Sequence, residues 1–375
     1  MRILYFSRDY TPHDHRFLTA LAQSEHQMGY LRLERGGQQT EDRPLPPAVQ
    51  LLPWVGGRAP ARWQSGPRLV AGLRNVIRDF RPDLILAGPV QRSALLVALT
   101  GFHPLVTMSW GYDLLVDVHN GRLWEWATRF TLKRSDALVG DCKTIYNLAV
   151  QYGMAPDRIV TFPWGADIQK YTPLPPGDVS PLRRRLGWGS EAFVLLSTRG
   201  WAPIYGVDDL ARAFVQAVRK RPELRLLMLG NGPLAPAIHQ IIKQAGVEDR
   251  VHFPGQIPQA KLPDFYRAAD LYISTSHSDG TSISLLEALA CGTPVLLTDI
   301  PGNKEWVSPP GKVGWLFRDR DVDSLREGIL HAVADRAQLP AMGRAARQLA
   351  VSRANWDANF QRLFEAFEIA LNSTT

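Results

Sequence analysis

The chain has 375 residues, enough for two domains of ordinary size, each with a core of its own. Hydrophobic residues make up 45% and charged residues 21%, a balance that excludes disorder, and no apolar run approaches the roughly 20 residues that a membrane-spanning helix needs. The net charge of +7 is uneven, since residues 1–170 hold 20 Lys and Arg against 15 Asp and Glu and the remainder 23 against 21; this suits an anionic acceptor or lipid surface, whereas no interleaved basic and aromatic motif points to nucleic acid.

Met1 to Ser7 reads as an opening β-strand, because its apolar run is too short for a signal-peptide core. The chain is therefore expected in the cytoplasm, reaching the inner face of the cell membrane if its basic half meets lipid. Only Cys142 and Cys291 are present, which leaves no disulfide framework and no cysteine metal site. The next loop, Tyr10 to Arg16, carries His13 and His15 without further ligand spacing, so both read as polar cleft or surface residues. Arg16, at a helix start, is the charge of interest there. Strand-like runs follow at Met28–Leu33, Val49–Leu52, Leu84–Ala87, Leu105–Met108, Ala137–Gly140 and Ile159–Phe162, with helical patterns between most of them. Such alternation predicts a parallel sheet covered on both faces, a Rossmann-like half.

One helix in this half is strongly basic. Arg68 to Arg81 sets Leu69, Val70, Leu73, Val76, Ile77 and Phe80 at helical spacing, with Arg68, Arg74, Arg78 and Arg81 on the other side and Trp54, Arg58, Arg62 and Trp63 before it. An anionic membrane fits this pattern, and so does a sheet-covering helix with a solvated face. Ser109-Trp-Gly-Tyr-Asp113 then closes a strand, where open α/β sheets bind ligands. Pro173, Pro175, Pro176, Gly177 and Pro181 disfavour regular structure and mark a linker.

A second alternating half begins with a strand at Phe193–Thr198, followed at once by Arg199 and then by Trp201 and Tyr205-Gly206. A strand at Arg225–Leu229 ends in Gly230-Asn-Gly-Pro233, and Val251 to Pro258 follows. Leu271–Thr275 and Pro294–Thr298 read as buried strands enclosing a helix at Ser282–Ala290, stopped by Gly292 and Pro294. At that helix start Asp279, Gly280, Thr281 and Ser282 allow close backbone approach, and the first amides favour a phosphate. Glu287 lies about 7 Å further along the axis, so two carboxylates flank the phosphate position, unless they serve only as a cap and a solvated helix residue. Asp319, Asp321 and Asp323 mimic a calcium loop, but Ser324 and Leu330 stand where Gly and Glu are required, and the acids read as caps. Trp356–Leu371 reads as one long amphipathic helix.

The segment DGTSISLLEALACGTPV resembles the signature of retaining family 4 glycosyltransferases of the GT-B fold. The resemblance is strong from Phe193 to Trp306 and weaker before Pro163. It implies that Asp279, where relatives more often carry Glu, holds the donor sugar and that Glu287 holds the ribose. Arg199 matches the arginine that grips the donor diphosphate, and Tyr205 replaces a lysine. Gly280, Thr281, Ser282 and Ile283 would line the donor, Ile257 to Gln259 the nucleobase, and Gly230 the adjacent turn. Arg16 would face the cleft where relatives have a glycine-rich loop. Ser109 and Trp110 stand where many relatives have a histidine, leaving Asp113 to orient the acceptor hydroxyl, or to act as a helix cap.

The architecture so implied is α/β, with two Rossmann-like domains facing a cleft. An acceptor-side domain would span 1–165, a linker 166–188, a nucleotide-sugar domain 189–355 and a helix crossing back to the first domain 356–375. The implied reaction moves a sugar from a nucleotide diphosphate sugar to a glycan or lipid-linked glycan with retention, as in cell-envelope or polysaccharide synthesis. It needs no metal or cofactor, because cations and amides meet the leaving diphosphate. A sugar-nucleotide-binding protein without turnover and a sugar-nucleotide epimerase are the alternatives.

Overall fold

Short runs of Leu, Ile, Val and aromatic residues make thirteen strands among the described residues, and every pairing between them is parallel. The computed structural model describes residues 1–35, 41, 43–175 and 177–373. Pro176 of the expected linker, and residues 374 and 375 of the expected last segment, lie outside the described residues. The chain forms two units, Met1–Phe162 with Phe360–Thr375, and Pro163–Asn359.

In the first unit β1 (Arg2–Ser7), β2 (Gln27–Arg32), β3 (Val49–Leu51), β4 (Leu84–Ala87), β5 (Leu105–Met108), β6 (Ala137–Gly140) and β7 (Ile159–Thr161) form one sheet in the order β3-β2-β1-β4-β5-β6-β7. In the second, β8 (Phe193–Ser197), β9 (Leu224–Leu229), β10 (Val251–Gly255), β11 (Leu271–Ser274), β12 (Val295–Thr298) and β13 (Gly314–Phe317) run β10-β9-β8-β11-β12-β13. Strands such as β4, β8 and β11 are buried along their whole length, which is why they read as continuous apolar runs rather than alternating ones. In each sheet the order reverses beside the first-made strand, opening a crevice at the carboxyl ends of β1 and β4 and of β8 and β11.

Several elements differ from the sequence reading. β10 and β13 were not anticipated as strands: β10 is half-buried throughout and carries Pro254, and β13 is four residues long, its pairing with β12 depending on Gly314, where a Cβ would stand 1.9 Å from the Val295 carbonyl oxygen. The last pattern is two helices, Trp356–Phe360 and Arg362–Asn372. The latter lies in the first unit against β5, β6 and β7, burying Leu363, Ala366, Phe367 and Ala370, while the Arg362 guanidinium donates to the Thr161 carbonyl at 2.6 Å.

Residues 166–188, expected as a linker, pack into the second unit. Ala166, Tyr171 and Leu182 join its core, and Pro181–Arg185 is helical. Arg347 donates to the carbonyls of Ile168, Tyr171 and Ala290, and Arg267 to that of Thr172. Two half-buried arginines thus tie down carbonyls that the prolines leave without a regular partner.

The basic helix runs from Gly66 to Phe80, with Arg81 as a left-handed cap at φ 50°. It covers the first sheet with Leu69, Leu73 and Val76. Trp54 turns inward, edge-on to Phe6 at 5.2 Å, and donates to the Arg32 carbonyl at 3.0 Å.

Candidate active site

The crevice of the second sheet gathers its polar residues from two strand ends and one helix start. β8 ends at Ser197 and delivers Arg199, β11 ends at Ser274 and delivers Asp279, and the Ile283–Ala290 helix begins four residues later. Arg199 Nη2 lies 2.7 Å from Asp279 Oδ2, and Arg199 Nη1 donates to Ser284 Oγ at 3.3 Å. The guanidinium also lies over the Tyr205 ring, 4.3 Å from its centroid. Tyr205 therefore meets the arginine with its face; the sequence reading, which had it replace a lysine on the diphosphate, did not show that contact.

Backbone packing fixes these positions. Trp201 is buried beneath the loop after β8 and donates to the Leu229 carbonyl at 2.9 Å. Gly230, at φ 99°, approaches so closely that a Cβ would stand 2.8 Å from the Arg199 carbonyl oxygen. On the other side, a Cβ on Gly302 would meet the Gly280 carbonyl at 2.1 Å, and Trp306 donates to Thr281 Oγ1 at 3.3 Å. His277 and Asp319, 2.6 Å apart, link the loops after β11 and β13.

Ser282 caps the helix, accepting from the Leu285 amide at 3.2 Å, so the helix starts one residue later than expected. Glu287 is buried one turn in and accepts from Tyr266 Oη at 2.8 Å; Tyr266 in turn lies 3.3 Å from Thr198 Oγ1. Tyr272 donates to Ser284 Oγ at 2.9 Å. Thr198, Tyr266, Tyr272 and Ser284 were not singled out from the sequence. The aromatic pair six residues apart was visible, but that one phenol meets Glu287 and the other Ser284 is set by tertiary approach.

Burial pushes the Asp279 carboxyl up, and Arg199 and the Gly280 amide oppose that rise. Burial works against the charge on Arg199, yet Asp279 and the surrounding phenols outweigh it and raise its pKa. A carboxylate and a guanidinium, both largely buried, thus face each other at a helix start. Such a pair is poor evidence for stability and better evidence for a site. An incoming phosphate would compete with Asp279 for Arg199 and meet the first amides of the helix.

Other expected site residues stand elsewhere. Ile257 lines a cavity of about 330 Å³ with Pro181, Leu182, His252 and Phe265, while Gln259 is exposed. Arg16 is half-buried on the Pro12–Ala22 helix of the first unit. Asp113, also in the first unit, requires a correction. It is 1% exposed, and its carboxylate accepts from the Val90 amide at 3.0 Å, Ser109 Oγ at 2.7 Å and the Leu114 amide at 3.1 Å. Both oxygens are engaged in holding the ends of β4 and β5 together, so it is not placed to orient an acceptor. Among the described residues no group of three His, Cys, Asp or Glu is disposed to hold a metal; Asp321 caps the Val322–Ala334 helix and Asp323 pairs with Arg326.

A family model for glycosyl transferases group 1 matches residues 178–349, and one for Glycosyltransferase Family 4 matches residues 13–170. The chain belongs to the family 4, group 1 glycosyltransferases. The chain is 27% identical over 243 residues to a GDP-mannose-dependent monoacylated alpha-(1-6)-phosphatidylinositol monomannoside mannosyltransferase of Corynebacterium glutamicum, covering 63% of this chain and 59% of that protein. It is 30% identical over 247 residues to a D-inositol 3-phosphate glycosyltransferase of Thermobispora bispora, covering 63% and 56%. The chain thus spans between half and two thirds of the length of these curated relatives. Among solved structures, Anabaena HepE in complex with UDP superposes with a TM-score of 0.78 at 21% identity over 98% of this chain and 100% of that one. Sucrose-phosphate synthase from Thermosynechococcus elongatus gives 0.80 at 17% identity over the whole of both. At these identities the likeness establishes the GT-B fold of two Rossmann-like units.

Proposed function

We propose that this glycosyltransferase moves a sugar from a nucleotide diphosphate sugar to a hydroxyl of a glycan or lipid-linked glycan in cell-envelope synthesis, with retention and without a metal, at an anionic membrane surface. The observation that carries the reading is the buried Arg199–Asp279 pair at the start of the Ile283–Ala290 helix, in the crevice between β8 and β11. Arg199 and the helix-start amides stabilise the charge that grows on the leaving diphosphate. As the bond from the anomeric carbon to the phosphate oxygen breaks, the acceptor oxygen bonds to the same face, and its proton passes to the leaving phosphate. No protein nucleophile is needed. Asp279, oriented by Arg199, accepts from a sugar hydroxyl, and Glu287, oriented by Tyr266, from the ribose. The Corynebacterium relative is GDP-mannose-dependent, and HepE has been solved with UDP-glucose, so guanine and uracil donors are the first to try.

The test is a donor screen in EDTA, with mass analysis of released nucleotide and sugar. Saturable binding of one donor with slow nucleotide release supports the transferase. Binding without release would replace it with a binding protein, and isomerised donor without release with an epimerase. A strict requirement for added divalent metal would remove the metal-free step.

A further inference from the structure

The Arg122–Arg134 helix, RLWEWATRFTLKR, joins β5 to β6 and buries Ala127, Thr128, Thr131 and Leu132. Its outer side leaves Leu123 50% and Trp126 48% exposed, with Trp126 stacked on Phe130 at 5.3 Å. Trp124 meets Trp63 edge-on at 5.7 Å, and Trp63, in the turn before the Gly66–Phe80 helix, is itself 45% exposed. The Arg92 guanidinium lies over the Trp124 ring, 4.9 Å from its centroid. The Gly66–Phe80, Leu95–Thr100 and Arg122–Arg134 helices pack side by side, so segments sixty residues apart in sequence share one surface.

The surround of this apolar group is almost wholly of one sign. Residues 58–81 and 122–134 carry ten Arg and Lys, all exposed, against two acids, Asp79 and Glu125. Both acids are already matched, to Arg78 at 3.1 Å and Arg129 at 3.0 Å. Exposed indoles and a leucine ringed by arginines suit a boundary that is anionic outside and apolar inside. Long arginine side chains reach phosphates at the level where the indoles enter the acyl layer.

We propose that this surface docks the protein on an anionic lipid bilayer, with Trp63, Leu123 and Trp126 in the headgroup–acyl boundary and the surrounding arginines on lipid phosphates. It deepens the membrane placement given under the proposed function and shifts the apolar anchors from Trp54 to the 122–134 helix. The donor site of the second unit takes no part.

The test is co-sedimentation of the full chain with vesicles of phosphatidylcholine, alone or mixed with phosphatidylglycerol. The expected result is binding to the mixed vesicles only, reversed by high salt. The double variant Leu123→Ser, Trp126→Ser should bind roughly tenfold more weakly, with unchanged melting temperature and unchanged nucleotide release from donor in solution. Wild type remaining in the supernatant with anionic vesicles, or a variant that binds as tightly, overturns the proposal. So does a lipid-free dimer that the same variant dissociates, since the surface would then join two copies of the chain. Vesicle binding without nucleotide release supports the docking surface and removes the transferase reading; release without vesicle binding does the reverse.

Discussion

Arg199 is held by contacts that each ask something different of a side chain: an ion pair to Asp279, a hydrogen bond to Ser284 and a stack on Tyr205. Lysine's single ammonium cannot make all three at once, because Asp279 and Ser284 are met by different guanidinium nitrogens, so Arg199→Lys should behave closer to Arg199→Ala than charge alone suggests. Both should slow nucleotide release by about a hundredfold in steady-state assays. Glu287→Ala should chiefly weaken nucleotide binding, read by calorimetry, because the ribose hydroxyl then loses the acceptor that Tyr266 orients. Asp113→Ala should instead lower the melting temperature, by roughly 3 kcal/mol of stability from three buried donors left unpaired, with donor binding intact. Asp14 gives a pH signature. Burial lifts its carboxyl to about 6, in spite of hydrogen bonds from Thr11 and Tyr5. An unfolded aspartate titrates near 4, so the stability it contributes is full below about pH 4 and is lost as pH rises through 6, a swing of about 3 kcal/mol. Urea midpoints across that interval should fall more steeply for wild type than for Asp14→Asn. Arg199, Asp279 and Glu287 were legible because each stands at a fixed distance from a strand end or helix start. Asp113 was misread because a sequence shows a carboxylate at a strand end, not the amides it faces.

At the scale of elements, what decides the site is how tightly the strand-end loops nest. Gly230→Ala adds a methyl group 2.8 Å from the Arg199 carbonyl oxygen at a left-handed φ, so the loop after β8 must shift. The expected outcome is a loss of about 1–3 kcal/mol in thermal stability, with a weaker donor affinity than the stability loss alone would give. Eleven of the strands were legible, most of them because a strand buried on both faces is a continuous apolar run between turn residues. β13 escaped because its pairing with β12 depends on a bare glycine backbone rather than on any pattern of side chains. The linker expectation failed for a related reason: proline content reports that a segment is irregular, not that it is loose. The carbonyls of Ile168 and Tyr171 are held by Arg347, some 175 residues away in sequence.

Taken whole, the first unit is built from two separate stretches of chain, with all of the second inserted between them. Deleting the Arg362–Asn372 helix should therefore expose β5, β6 and β7 and make residues 1–162 sensitive to limited proteolysis, while the second unit still protects itself when nucleotide is added. The insertion also sets an order of events during synthesis. A ribosome delivers β1 to β7 first, yet the helix that covers β5 to β7 emerges only after every residue of the second unit, which can close as soon as it is free. The half of the protein made first is the last to be finished. Throughout that wait an apolar flank of its sheet stands open to chaperones, and to other nascent chains on the same message.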